Sequence, residues 1–264
     1  MSRGQRLATS YLQLIYWWRH GRWPDLANPR RFTEWVQWRK LNDRRPALSR
    51  LTDKLEGKRL AGHLAMPTLW SGTKLPLEPP GPFPLMVKAN HGCGQLRVVR
   101  SPAGWRAARR SAALWLAAGY GFWLGEGHYR HARRRILVEP FLAGKEGFPE
   151  DYKVYVFGGR AAIVQHHRGR GTANHRWTQF DRDWVRVGGA ASEAPAPRSL
   201  ARMIAAAELL AAGYDFLRVD FYEIDGRLWF GEFCLFPGSG LDPFDPPELD
   251  DELGELWSAA RAIS

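Results

Sequence analysis

Phe216-Leu217-Arg218-Val219-Asp220-Phe221-Tyr222, then Asp225-Gly226, then Leu228-Trp229-Phe230-Gly231-Glu232-Phe233 is the stretch on which the reading of this chain turns. Two runs rich in aromatic and β-branched residues flank an Asp-Gly pair, the pattern of a hairpin closed by a two-residue turn. Asp220 and Glu232 then lie on facing strands, adjacent across the ladder, each inside an otherwise apolar run. Two such carboxylates repel unless positive charge stands between them. A divalent hard cation is the simplest answer, because Mg²⁺ is commonly held by one or two carboxylates plus phosphate oxygens. Arg218 projects from the same face as Asp220, so a plain Arg218–carboxylate pair is the alternative.

Working outward, Gly158-Gly159 joins strands at Lys153–Phe157 and Ala161–Gln165, and a helix is expected from about Ser199 to Ala212. Upstream come a strand at Leu85–Ala89, a glycine loop at Gly92–Gly94, a strand at Leu96–Val99, a helix from about Trp105 to Ala118 and a strand at Ile136–Val138. Hairpins mixed with single helices indicate an α+β fold with antiparallel sheets. Five prolines between Leu75 and Pro84 mark a linker or an extended entry into a strand. The expected organisation is an N-terminal Trp/Arg-rich helical segment (1–60), a first α+β subdomain (61–142) and a second (143–264).

Several pieces carry chemistry. Lys88 ends a strand that runs into Asn90-His91-Gly92-Cys93-Gly94, where glycines let backbone N–H groups close on an anion and the lysine supplies a point charge. Ile136-Leu137-Val138-Glu139-Pro140-Phe141-Leu142 suits an edge that reads an adenine ring, and Lys153 is a second phosphate-directed cation. Gln165-His166-His167-Arg168-Gly169-Arg170 and Asn174-His175-Arg176 read as a basic loop. Adjacent histidines point to opposite faces of a strand, so a His-His metal site is not expected there.

The 264 residues suffice for a core without metal or disulfide staples, and 45% hydrophobic with 25% charged residues is an ordinary globular balance. Lys and Arg number 38 against 27 Asp and Glu, a formal net charge of +11 that attracts polyanions. Two cysteines, Cys93 and Cys234, exclude a disulfide framework and make a reducing cytoplasm the default. The apolar run Tyr11–Trp18 is too short to cross a bilayer. Around it Trp17, Trp18, Trp23, Trp35 and Trp38 mingle with arginines, as a helical pair packed on the body or as an interfacial helix. Trp35, Trp38 and Leu41 share one helical face, and a further helix begins near Ser49.

The order of these pieces resembles the ATP-grasp superfamily, and within it the TupA-like family of teichuronopeptide and polysaccharide biosynthesis. The likeness rests on Asn28-Pro29-Arg30-Arg31-Phe32-Thr33-Glu34, Asp53-Lys54, Lys88 through Gly94, Asp151-Tyr152-Lys153, Asn174-His175-Arg176, Arg218-Val219-Asp220, Gly231-Glu232 and Pro237-Gly238-Ser239-Gly240. It runs from about residue 28 to 250. It implies an ATP-grasp fold, two α+β subdomains gripping ATP. Lys54, Lys88, His91, Gly92, Gly94, Glu139, Pro140, Phe141, Leu142, Glu146 and Lys153 would then bind the nucleotide. Asp220 and Glu232 would hold Mg²⁺, and Arg218, Lys88 and Lys153 would act in catalysis. Cys234 departs from the pattern, standing where many members have a metal-completing Asn, and a thiol is a poor Mg²⁺ ligand. Too few residues precede Lys88 for the Rossmann-like domain usual in this superfamily, so substrate recognition is expected from the N-terminal helices and the basic loop.

The activity implied is carboxylate–amine ligation through an acyl phosphate. His167, Arg168, Arg170, Asn174, His175 and Arg176 would draw in an acidic small molecule, polysaccharide or peptide, with an amine as second substrate. A hydroxyl-directed phosphotransferase using His166 or His167 as base is one rival, and a non-catalytic polyanion-binding relative is another. Nucleic acid is not the expected partner. The protein is expected in the cytoplasm, free or peripheral at the inner face of the membrane.

Overall fold

Apolar runs alternating with glycine turns build two antiparallel sheets, and the helices are shared between them. The computed structural model describes residues 3–142, 147–189 and 194–263. Four helices come first: α1 (Arg3–His20), α2 (Phe32–Asn42), α3 (Pro46–Leu51) and α4 (Lys54–Ala61). The first sheet holds β1 (Trp70–Gly72), β2 (Leu85–Ala89), β3 (Leu96–Val99) and β4 (Ile136–Pro140), with α5 (Pro102–Ala117) between β3 and β4. The second holds β5 (Asp151–Phe157), β6 (Arg160–Arg168), β7 (Arg176–Asp181), β8 (Arg186–Gly189), β9 (Phe216–Ile224) and β10 (Arg227–Cys234). Helices α6 (Leu200–Leu210) and α7 (Glu248–Ile263) flank it. Strand orders are β1-β4-β2-β3 and β10-β9-β5-β6-β7-β8. The α+β class with antiparallel sheets and leading helices is therefore the observed one.

Two elements differ from expectation, and a third decides between two alternatives left open. The segment read as a basic loop is mostly strand: β6 runs on to Arg168, and β7 pairs back onto it with Arg176 opposite Arg168. Charged residues mask a strand when ladder pairing, rather than apolar alternation, holds it. Helix α7 is the second difference, burying Leu249, Leu253, Trp257 and Ala260 at helical spacing. Third, the proline stretch is an entry into β2 and not a free linker, since Leu75 is buried and the Trp105 indole N–H donates to the Pro76 and Leu77 carbonyls.

One face of the second sheet divides into two halves, and the division places the site. Its far half is aromatic: Phe32 on α2 packs edge-on to Phe216 at 4.9 Å and lies 5.3 Å from Trp257 and 5.5 Å from Tyr155. Buried Arg39 stacks over Trp257 at 4.3 Å and pairs with Asp215 at 2.6 Å, so α2 and α7 are clamped to the start of β9. The Glu34 carboxylate accepts the backbone N–H groups of Arg30 and Arg31, capping α2. Asp250 on α7 accepts from the Thr33 backbone and hydroxyl, and Thr33 Oγ1 also bonds the Tyr16 hydroxyl of α1. The other half of the face is left for polar residues.

Gly254 marks how closely α7 crosses the entry to α2. A Cβ there would lie 1.8 Å from the Arg30 carbonyl oxygen. Alanine favours helix over glycine by about 1 kcal/mol, but overpacking against backbone costs more. Gly254→Ala is expected to destabilise by about 2 kcal/mol in urea denaturation. Unchanged or higher stability would mean that α7 does not lie against that turn.

Candidate active site

Asp220 and Glu232 meet because of one extra residue. In a regular hairpin about Asp225-Gly226, Asp220 would face Gly231, and Glu232 would point to the opposite side of the sheet. The ladder instead shifts between Phe230 and Glu232, so that Glu232 pairs with Asp220 and both carboxylates share one face. Gly231 is the bulged residue, and a Cβ there would come within 3.1 Å of the Asp220 carbonyl and the Tyr222 ring. Lys153 pairs with Asp220 from the other side, which extends the row across three strands.

The row is charge-compensated throughout. Lys153 Nζ lies 2.8 Å from Asp220 and 2.6 Å from Asp151. Arg218 grips Asp220 in bidentate fashion, Nε to Oδ1 at 2.7 Å and Nη2 to Oδ2 at 2.8 Å. Lys54 Nζ donates to Glu232 at 2.7 Å. Burial pushes the Asp220 carboxyl up, but Arg218 and Lys153 more than offset it and hold it below the usual carboxylate range. Glu232 behaves alike, with Lys54 overcoming burial. Burial opposes the charge of Lys153, yet Asp151 and Asp220 keep its ammonium above its ordinary range.

Lys54 reaches Glu232 because its helix is nailed in place. The Asp53 side chain caps α4 at Glu56 N and also takes Arg133 through backbone and guanidinium, at 2.8–3.0 Å. Asn90 completes the hub, accepting from Leu55 N and donating to the Arg133 carbonyl. Asp53, with its carboxyl at about 2 because Arg133 and backbone N–H groups overcome burial, is ionised at any neutral pH.

A cavity of about 300 Å³ lies between the two sheets beside this row. Its apolar lining is Met66, Met86, Leu96, Phe141, Leu142 and Phe148, its charged lining is Lys54, Lys88, Glu139, Arg170 and Glu232, and Gly92, Cys93 and Gly94 also border it. Lys88 and Lys58 both pair with Glu139, Lys88 at 2.6 Å. A Cβ on Gly92 would stand 2.4 Å from Gln95 Oε1 and 3.3 Å from the Tyr120 ring, so the Gln95 side chain would have to shift; Gly94 has φ +71. A planar ring against the apolar side chains and phosphates at the lysines suit this lining. A larger cavity, about 730 Å³, lies between α1, α2 and the Gly125–His131 segment, but it shares no residue with the carboxylate row.

The residues singled out from sequence fall into groups. Lys54, Lys88, Gly92, Gly94, Glu139, Pro140, Phe141, Leu142, Arg170 and Glu232 line the cavity together. Asp220 and Lys153, both in the row, and Arg218, on the same face of β9, are buried. His91 is turned away: its ring bonds the Trp115 carbonyl at 2.9 Å, so it anchors α5 instead of facing a nucleotide. Arg168 and Arg176 are register partners on the face opposite the acids, with His166, because strand alternation sends them there. His167 is on the acid face, stacked on His175 at 5.2 Å and Trp177 at 5.8 Å. Asn174 sits in the turn under Gly169, and Glu146 lies outside the described residues. Sequence reasoning missed Lys58, one helical turn past Lys54, and Asp151, two residues before Lys153 on the same face. Both spacings were visible. Tyr222 and the methionines carry no such signal.

A hard divalent cation would find free carboxylate directions on Glu232, which lines the cavity, and one on buried Asp220. Lys153 and Arg218 take about three of the four lone-pair directions of Asp220, and Lys54 takes one on Glu232. Cys234 does not join, since burial pushes its thiol up to about 12 and keeps it protonated. Among the described residues no cluster of three or more His, Cys, Asp or Glu side chains stands ready for a metal. Asp220 and Glu232 would thus leave the remaining positions to phosphate oxygens and water, as Mg²⁺ prefers.

The family model described as TupA-like ATPgrasp matches residues 34–258. The chain belongs to this family. Among solved structures, D-cycloserine synthetase DcsG superposes with TM-score 0.50 at 17% identity, over 83% of this chain and 71% of that one. D-alanine–D-alanine ligase from Bacillus anthracis does so with TM-score 0.49 at 18% identity, over 81% and 66%. The same ligase complexed with ATP matches with TM-score 0.44 at 17% identity, over 69% of this chain, and there the chain spans about half of the ligase, 52% of its length. These similarities are ones of fold. No curated protein matches the TupA-like chain.

Removing Lys153 leaves Asp151 and Asp220 facing each other in a buried site. Lys153→Met is expected to cost about 3 kcal/mol at neutral pH. Because the Asp220 carboxyl is depressed in the folded state, the stability it carries is present above its unfolded pKa and lost as pH falls. The cost of Lys153→Met in urea denaturation should therefore shrink below pH about 4, where the acids protonate. A pH-independent cost would contradict the pairing.

Proposed function

We propose that this TupA-like ATP-grasp protein is an ATP-dependent carboxylate–amine ligase acting on an acidic polymer or its precursor. The observation that carries the reading is the row Glu232–Asp220–Lys153, with Arg218 two residues along β9 on the same face and a cavity lined by Lys54 and Lys88 beside it. Lys54 and Lys88 hold the phosphates, and the apolar lining takes the adenine. Mg²⁺, when bound, supplies charge neutralisation of the transferring phosphoryl group.

The residues then act in sequence. A substrate carboxylate oxygen attacks the γ-phosphorus and ADP leaves, while Lys88 and Lys153 offset the negative charge that spreads over the phosphoryl oxygens. The amine attacks the resulting acyl phosphate at its carbonyl carbon, the C–O bond to phosphate breaks, and the amine proton is lost to solvent. Arg218 uses Nε and Nη2 on Asp220 and keeps further N–H groups for the oxyanion, a role worth about 3 kcal/mol. Arg170, at the cavity and paired with Asp151, receives the acidic substrate, and the His167–His175–Trp177 stack continues that surface. The N-terminal helices hold the segment after β10: Lys40 and Gln37 donate to the Ser239 carbonyl at 2.7 and 2.9 Å, and His20 bonds the Gly240 carbonyl. They brace the Pro237–Gly240 turn that follows β10.

Two features weigh against a hydroxyl-directed kinase. His166 lies on the far face, bonded to Glu150. Burial and the nearby Lys153, Arg218 and Arg170 push His167 down to about 2, far too low for an efficient general base.

ADP and phosphate release should be screened across uronic acids and acidic peptides with amino acids as amine. Turnover should need both an acid and an amine, and the product should be an amide with no phosphorylated acceptor. Asp220→Asn and Glu232→Gln should each lower it by about 100-fold or more. Undiminished turnover in either variant, or a stable phosphorylated product formed without amine, would overturn the reading.

A further inference from the structure

We propose that the outer face of α1 and the neighbouring Gly119–Gly127 loop dock on the surface of an anionic lipid bilayer. Nothing in the ligase chemistry uses these residues. Helix α1 is apolar on two sides. Its inner side, Leu12 and Tyr16, is buried on the body, while Tyr11, Leu14, Trp17 and Trp18 form a stripe on the outside. Trp18 is 73% exposed, and Trp23, stacked on Trp17 at 5.8 Å, is 61% exposed.

The neighbouring Gly119–Gly127 loop carries a second exposed aromatic group. Gly125 packs against Leu12, where a Cβ would come within 3.1 Å of its Cδ1. The loop therefore touches α1 through Leu12, and it carries Phe122 and Trp123, 80% and 73% exposed and edge-to-face at 5.3 Å. Side chains this large are rarely left so open, and tryptophan with arginine at a helix surface is the composition favoured at the headgroup level of a bilayer.

Charge points to the same occupant. The first 24 residues contain Arg3, Arg6, Arg19 and Arg22 and no Asp or Glu, in a chain of net charge +11. Such a field draws the protein to anionic lipid, where each basic residue near the surface adds to binding. A soluble polyanion is the weaker fit, because contact cations are partly committed: Arg22 pairs with Asp250 at 2.9 Å and Arg19 reaches Asp242 at 3.9 Å. What remains outward is aromatic. Among the described residues no helix is long and apolar enough to cross a membrane, so the contact is one of the interface plane.

The test is sedimentation of the full chain with vesicles of phosphatidylcholine alone or with phosphatidylglycerol at 30 mole per cent, a composition chosen on the order of natural anionic content. Wild type should pellet with the anionic vesicles only, release as salt is raised, and shift its tryptophan emission to the blue. The Trp18→Ser, Trp123→Ser double variant should partition at least ~10-fold more weakly. ATP affinity, measured on the same preparations, should not change, which separates this proposal from the ligase reading. No pelleting with anionic vesicles at low salt would overturn the proposal. So would a double variant that pellets like wild type, or one that loses binding to a soluble polyuronate while keeping vesicle binding.

Discussion

Two carboxylates on neighbouring strands must face the same way, in the same row, without unfolding the sheet that carries them. That constraint organises the protein. Gly231 meets it by adding one residue to β10, which rotates Glu232 onto the face of Asp220. The repulsion that follows would be prohibitive inside a fold. Lys54, Lys153 and Arg218 balance it, each arriving from a different element, so the charge row also couples α4, β5 and β9.

The frame around that row explains where the helices go. Phe32, Trp257 and Phe216 fill the half of the sheet face that the charges do not use, and buried Arg39 closes the gap between α2 and β9 through Asp215. The same α2 sends Gln37 and Lys40 to Ser239, whose backbone is held at φ +57 between two glycines that are also left-handed. Burial moves the Lys40 amine down to about 8. A strained turn held by a fixed helix is the kind of rigid support that a substrate site needs.

Much of this was legible in the residues, and what was not has physical causes. The Asp225-Gly226 turn and the alternating runs around it specify the hairpin, and the Asp53-Lys54 and Lys88 motifs sit where local capping and strand ends hold them. The bulge was not legible, because Gly231 reads as an ordinary strand glycine until its partner's register is known. His91 misled since a polar residue in a glycine loop can equally be a helix anchor, and its Trp115 partner is distant in sequence. Arg168 and Arg176 misled for a related reason: a basic run in a loop has no faces, whereas the same run in a paired strand has two, and they fell on the wrong one.

The most direct test of the central claim is the position of a metal in crystals grown with Mn²⁺ and a non-hydrolysable ATP analogue. Anomalous scattering locates the ion independently of any assumed fold. The account predicts a peak within bonding distance of one oxygen from Asp220 and one from Glu232, with the analogue's phosphates beside Lys54 and Lys88. A peak that touches neither carboxylate, or nucleotide seated in the larger cavity by α1 and α2 instead, would contradict it.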